Sequence, residues 1–184
     1  MIKLYGGLRS RASIVQWYLE ELAIPYEFVL LDMKQGEHLQ PDFLQINSFG
    51  KVPAIVDEDF QLWESGAILL YLAEKYGQTN WSIEERSIIN QWILFANSTL
   101  ATGLFVEASR EKETPKLLNP LDKMLQEREY ILGTDFTVAD VAVGSILAYI
   151  PMMLPTDLTP YKGVLQYIQK ICDRPAWQKT FKNR

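Results

Sequence analysis

Two short stretches carry residue types suited to holding a small peptide. The first reads Phe49-Gly50-Lys51-Val52-Pro53-Ala54-Ile55-Val56, and the second Phe60-Gln61-Leu62-Trp63-Glu64-Ser65-Gly66, with an acidic turn between them. If the Val52–Pro53 bond is cis, the Val52 backbone turns outward, and its N–H and C=O can pair with another extended chain. Ser65 is a favourable N-cap, and the helix start behind it offers N–H groups to a carboxylate. Glu64 beside it can take an ammonium. The ligand described by these groups has a peptide unit in its middle and a zwitterionic amino-acid end.

The elements that would position these groups follow from periodicity. Residues 2–5 make a strand that Gly6-Gly7 ends. Ile14, Val15, Tyr18, Leu19 and Leu22 recur at helical spacing and predict a helix over 10–22. Past Pro25, the alternation of Tyr26, Phe28 and Leu30 predicts a second strand. A polar connection over 32–48, with a helical turn after Pro41, leads to a hairpin of 54–56 and 60–63 around Asp57-Glu58-Asp59. A helix over 66–76 then stops at Gly77. The order βαβ-α-ββα predicts a thioredoxin-like domain over residues 1–76, with a linker at 77–82.

Residues 83–184 read as all helix, so the fold class is α/β followed by an all-α bundle. The predicted helices are a long one over 83–111, then 116–130, 137–150, 164–172 and 176–181, with Pro151 and Asp173-Arg174-Pro175 as breaks. Thr137-Val138-Ala139-Asp140 reads as a capping box and is assigned to folding.

Composition narrows the function classes. The chain has 184 residues, 48% hydrophobic, enough for a sizeable core. A net charge of −5 argues against a protein that tracks nucleic-acid phosphates. The single cysteine, Cys172, excludes an internal disulfide and a CxxC redox pair; with a single histidine, His38, a metal centre would have to be carboxylate-based, and no such cluster stands out. The uncharged run over 87–106 is interrupted by Asn90, Gln91, Asn97, Ser98, Thr99 and Thr102, which suits a buried helix better than a membrane span. With no apolar leader after Met1, the expectation is a soluble, cytoplasmic protein.

The chain resembles a cytosolic glutathione transferase over nearly its whole length. The resemblance rests on Lys3-Leu4-Tyr5-Gly6 leading to Ser10, on Asn47-Ser48-Phe49-Gly50-Lys51-Val52-Pro53-Ala54, on Glu64-Ser65-Gly66-Ala67-Ile68 and on Thr137-Val138-Ala139-Asp140. Its short C-terminal half is similar to compact bacterial forms, most of all the cyanobacterial chi-type class. The resemblance implies glutathione as co-substrate, no metal, and a small hydrophobic electrophile as second substrate, isothiocyanates in particular. It also implies a peroxidase side activity, a two-fold homodimer, and a role in detoxification and stress response. The alternative is a non-catalytic transferase-like module for protein assembly, against which the intact Val-Pro and Glu-Ser motifs count. A thioredoxin-type reductase is disfavoured because no cysteine stands at the first helix.

By the same resemblance, Val52, next to Pro53, pairs its backbone with the cysteinyl unit of glutathione. Lys51 and His38 meet the glycyl carboxylate, and Glu64 and Ser65 hold the γ-glutamyl end. Lys51 as a solvated charge and His38 as an incidental loop residue stand as the plainer readings. Ser10 matches the family's catalytic serine, with Arg9 and Arg11 beside it. A thiol of pKa near ~8.5 is mostly protonated at neutral pH. Lowering it by about two units takes roughly 2.7 kcal/mol of thiolate stabilisation, which a hydroxyl, a helix N-terminus and a cation can supply together. Ser10 reads equally as a plain N-cap, and the two roles are compatible. An arginine directly after the serine departs from the serine classes, which leaves Arg11 and then Ser13 as further donors. Tyr5 lies inside the strand and reads as sheet packing. Leu8, Phe95 and Thr102 are assigned to the wall of the electrophile site, and Phe49 reads as either a dimer contact or a staple within its own domain.

Overall fold

The computed structural model describes residues 1–77 and 79–181. By its contacts the chain divides into two compact units: Met1–Asn80 together with the segment from Pro175, and Trp81–Arg174.

The first unit is built on a sheet of order β2-β1-β3-β4, formed by β1 (Ile2–Gly6), β2 (Tyr26–Leu30), β3 (Ala54–Asp57) and β4 (Phe60–Trp63). β1 runs parallel to β2, pairing Ile2 with Tyr26 through Gly6 with Leu30. β3 is antiparallel to both neighbours, with Tyr5 opposite Ala54 and Ala54 opposite Trp63. Val29, Tyr5, Ala54 and Trp63 therefore form one row across the sheet. The chain leaves β1, β2 and β4 and enters β3 along that single edge, so every connection there can face one ligand.

Helix α1 (Ala12–Glu21) buries Ala12, Ile14, Val15, Trp17 and Leu19. A single turn α2 (Pro41–Leu44) follows β2, and α3 (Ser65–Tyr76) follows β4. The thioredoxin-like order is the one expected. One element differs from the expected division: α9 (Pro175–Phe181) groups with the first unit, where Trp177 meets Trp17 edge-on at 4.8 Å and Lys179 binds Glu20. Gln78 of the expected linker and residues 182–184 lie outside the described residues.

A buried carboxylate ties the hairpin to α3. Asp57 Oδ2 accepts from Tyr71 (2.7 Å), Lys75 (2.8 Å) and Tyr76 (2.6 Å). Burial pushes the Asp57 carboxyl up, but the hydrogen bonds from Lys75, Tyr76 and Tyr71 and the ammonium charge outweigh it, so the group stays ionised below the usual carboxylate range. Its folded pKa is below the unfolded value of ~3.9, so the stability it contributes is present above that pH and is lost as pH falls through the folded value. Acid titration of Asp57→Asn followed by circular dichroism should show a shallower loss of stability below about pH 4 than the parent. An identical acid limb would rule this out.

The second unit is helical throughout its longer elements. α4 (Ile83–Leu94) opens on a capping box, with Glu85 N–H donating to Ser82 Oγ and Ser82 N–H to Glu85 Oε2. The single long helix expected over 83–111 is interrupted twice. A π-helical turn spans Phe95–Leu100, and after α5 (Ala101–Phe105) Val106 adopts extended angles of −82° and 112°. The Arg110 side chain stabilises this break by donating from Nε to the Leu104 carbonyl at 2.8 Å. α6 (Glu107–Glu127) then runs through Pro115 and Pro120, where the expected helix began at 116. Both prolines are exposed, so water can serve the two carbonyls that lose a donor. Pro151 likewise fails to end α7 (Val138–Met153). α8 (Lys162–Cys172) packs on α6, where Asp122 Oδ1 accepts from Val164 N–H at 3.1 Å. No helix among the described residues is long and apolar enough to cross a membrane.

Candidate functional site

The loop before β3 is shaped by Asn47, which sequence reasoning passed over. Asn47 is buried; its Nδ2 donates to the Lys51 carbonyl at 2.8 Å and its Oδ1 accepts from Phe49 N–H at 3.1 Å. The signal available in the sequence was the turn-forming Asn-Ser-Phe-Gly itself. Gly50 has φ of 59°, and a Cβ there would stand 2.8 Å from Leu39 Cδ2 and 3.0 Å from the His38 carbonyl oxygen. The His38–Leu39 segment is thereby packed on the loop that carries Lys51. The Val52–Pro53 bond is cis, and neither the N–H nor the C=O of Val52 has a hydrogen-bond partner among the described residues. Pro53 is buried beneath it, and Lys51 is exposed.

On the other side of the row, Glu64 rather than Ser65 occupies the cap position of α3. Its φ of 72° is a left-handed value that a non-glycine residue adopts at a cost of about 1–3 kcal/mol. The expected N-cap role of Ser65 is therefore shifted by one: Ser65 is the first helical residue, buried, and its hydroxyl has no partner among the described residues. The first α3 bond runs from Ile68 N–H to the Glu64 carbonyl, which leaves the N–H groups of Ser65, Gly66 and Ala67 without helical acceptors. An unpartnered hydroxyl and three N–H groups without helical acceptors, at a 12-residue helix start, are complementary to a carboxylate.

Ser10 stands at the same edge, in the loop from β1 to α1. Its hydroxyl donates to the Gly7 carbonyl at 3.0 Å and accepts from the N–H groups of Gly7 (3.1 Å) and Ala12 (3.3 Å). Arg11 precedes the first α1 residue and is exposed, as is Arg9. Ser13 is buried and donates to the Ser10 carbonyl, a role inside the first helical turn. Tyr5 packs its ring 5.7 Å from Phe43, as a sheet residue would. Phe49, 65% exposed, lies 5.0 Å ring to ring from Trp63. The Nδ1 of His38 is buried without a partner.

The first unit thus gathers Ser10, Arg11, Lys51, Val52, Pro53, Glu64 and Ser65 along one edge of the sheet, with the His38 segment against their loop. Leu8 belongs to the same loop as Ser10 and is 76% exposed. Phe95 and Thr102 lie in the helical unit. Thr102 is exposed on α5, and Phe95 lines a cavity of about 260 Å³ with Trp92, Leu117, Pro120 and Met124. No cluster able to hold a metal ion occurs among the described residues.

A thioredoxin-like sheet that presents its unpaired backbone groups along one edge, in a chain with a second, all-helical unit, defines the thioredoxin-related transferases as a class. Residues 1–74 match the N-terminal domain of glutathione S-transferase and residues 90–183 its C-terminal domain, and the chain belongs to that family of enzymes. It is 30% identical to the disulfide-bond oxidoreductase YfcG of Escherichia coli K12, over 96% of this chain and 92% of that protein. Among solved structures, it is similar to the glutathione transferase URE2P6 of Phanerochaete chrysosporium in complex with oxidised glutathione. That likeness has a TM-score of 0.86 and 26% identity and covers 99% of this chain and 95% of the other. A glutathione transferase family member of Pseudomonas fluorescens Pf-5, solved with two glutathione molecules, matches at TM-score 0.82 and 29% identity, covering 97% of this chain and 91% of that one.

Proposed function

We propose that the protein binds glutathione along the sheet edge and transfers its thiolate to small hydrophobic electrophiles, isothiocyanates among them, with hydroperoxide reduction as a side reaction. The observation that carries this reading is the unpaired Val52 backbone set beside the unpaired N–H groups of the α3 start. The Val52 N–H and C=O pair with the cysteinyl unit. Ser65 and the α3 N–H groups take the γ-glutamyl carboxylate, Glu64 takes its ammonium, and Lys51 and His38 meet the glycyl carboxylate. Ser10 and Arg11 sit where the sulfur falls. The Ser10 proton is engaged by Gly7 in this structure, so donation to a thiolate requires the hydroxyl to turn. Held beside a docked isothiocyanate, the sulfur forms a C–S bond to the central carbon, and the displaced π electron pair on nitrogen takes a proton. Holding the two reactants together lowers the entropic part of the barrier.

The site is proposed to work in a cytoplasmic homodimer engaged in detoxification and stress response. The exposed Phe49 and, on α4, Ile83 (77% exposed) and Leu94 (61%) are surfaces that a second copy would cover.

A second reading is favoured by the oxidoreductase relative and by the neighbour that holds oxidised glutathione. Here the bound glutathione thiolate attacks a glutathione mixed disulfide, RS–SG, giving GS–SG and releasing RS⁻. No protein cysteine is needed, and Cys172 lies in α8 of the helical unit. Turnover that survives Cys172→Ser fits either reading, and the ratio of rates with an isothiocyanate and a mixed disulfide decides between them.

Glutathione titration should give a saturable change in tryptophan fluorescence through Trp63, which directly precedes Glu64. No saturable change together with no turnover would favour a non-catalytic module. Ser10→Ala should move the acid limb of the pH–rate profile up by about one to two units, because the bound thiol loses stabilisation. An unchanged profile would move that role to Arg11.

A further inference from the structure

The reading above leaves unassigned a methionine beside the loop that leads to Ser10. Met33 lies in the turn after β2, and that turn is fixed from both ends. Asp32 Oδ1 accepts from the N–H groups of Lys34 (2.9 Å) and Gln35 (3.1 Å), and Glu37 Oε2 accepts from Asp32 N–H (2.6 Å). The Met33 side chain is laid on Gly7: a Cβ at Gly7 would stand 2.7 Å from Met33 Cγ and 3.3 Å from its sulfur. A side chain at Gly7 would have to displace Met33.

Hydrogen bonds tie Gly7 to the proposed catalytic hydroxyl. Gly7 N–H donates to Ser10 Oγ at 3.1 Å, and Ser10 Oγ donates to the Gly7 carbonyl at 3.0 Å. Met33 therefore stands on the residue whose N–H and C=O hold the Ser10 hydroxyl. It is 37% exposed, and Leu8, which follows Gly7 in the β1–α1 loop, is 76% exposed. Two accessible apolar side chains thus stand at the start of the loop that carries Ser10. A thioether on a flexible stem is polarisable and adapts to flat or conjugated groups.

We infer that Met33 is a specificity-determining residue that receives the apolar tail of the electrophile, and that the enzyme selects electrophiles bearing an extended hydrophobic group beside the reacting centre, on the nitrogen in an isothiocyanate. This rests on the transferase reading. The test compares allyl with phenethyl isothiocyanate, which share the reacting carbon and differ in the tail. In Met33→Gln, a change of similar length at an exposed position, the ratio of kcat/KM for phenethyl over allyl isothiocyanate should fall by about tenfold or more. KM for glutathione should stay as in the parent, and Met33→Leu should restore most of the ratio. A parental ratio in Met33→Gln, with both substrates turned over, overturns the assignment of Met33 and leaves the transferase reading intact. Glutathione binding with turnover of neither isothiocyanate by the parent overturns the transferase reading instead. Should Met33→Gln fail to fold, Met33→Ser compared with Met33→Leu gives the same ratio test.

Discussion

Asp140→Ala is expected to lower unfolding stability by roughly 4 kcal/mol or more while leaving the specific activity of the folded fraction near the parental value. Asp140 is fully buried and accepts four hydrogen bonds: from Ile131 N–H (2.8 Å), Thr137 N–H (2.9 Å), Thr137 Oγ1 (3.2 Å) and Tyr167 Oη (2.9 Å). Alanine would leave these donors enclosed without acceptors, at about 1–3 kcal/mol each where water cannot reach them. Against a total stability of about 5–15 kcal/mol, such a loss decides whether the fold survives. Denaturant unfolding beside a turnover assay is the check, and selective loss of turnover at unchanged stability would refute the structural role. Acid adds a second signature. Burial pushes the Asp140 carboxyl up despite its hydrogen bonds. Its folded pKa lies above the unfolded value, so stability rises as pH falls through the folded value, opposite in sign to Asp57. The two carboxylates therefore partly offset each other in acid, and removing Asp140 should steepen the acid limb.

Ser65→Ala is expected to raise the dissociation constant for glutathione by about tenfold, the loss of one charge-assisted hydrogen bond of roughly 1–2 kcal/mol. The position of Ser65 makes this result specific. A serine that capped α3 would take about 1 kcal/mol of stability with it when replaced. Ser65 makes no capping bond, because Glu64 holds the cap position. The effect should therefore appear in calorimetric binding and leave the unfolding midpoint close to the parent. A shifted midpoint with unchanged affinity would reverse the assignment.

Much of this site could be read from the chain alone, and the exceptions have local causes. The four strands were legible because alternation and the punctuation at Gly6, Pro25 and Asp57-Glu58-Asp59 agree with each other. The offset at Glu64 was not, because nothing in a glutamate announces a left-handed backbone. Asn47 was overlooked because an Asn-Ser-Phe-Gly loop reads as solvated until its asparagine is seen buried under Lys51. In the helical unit the hydrophobic period continues across Phe95–Leu100 and past Val106, so the π turn and the break between α5 and α6 leave no trace in composition. Two prolines misled in the opposite direction, since Pro115 and Pro151 sit on exposed helix positions inside α6 and α7, where the reading had placed a helix start and a helix end. The pairing of Trp17 with Trp177 joins residues too distant in sequence for any pattern to connect.

That pairing bears on how the chain is made. Trp17 is completely enclosed, and part of its cover arrives only with Trp177, far later in the chain. Synthesis proceeds at about 5–20 residues per second, so the leading sheet waits several seconds, with one face of α1 open to solvent, while the helical unit is translated. A polypeptide released before Pro175 would carry that bare aromatic face permanently, an adhesive surface that cellular quality control can recognise. Synthesis through α9 is thereby what takes that face out of solvent.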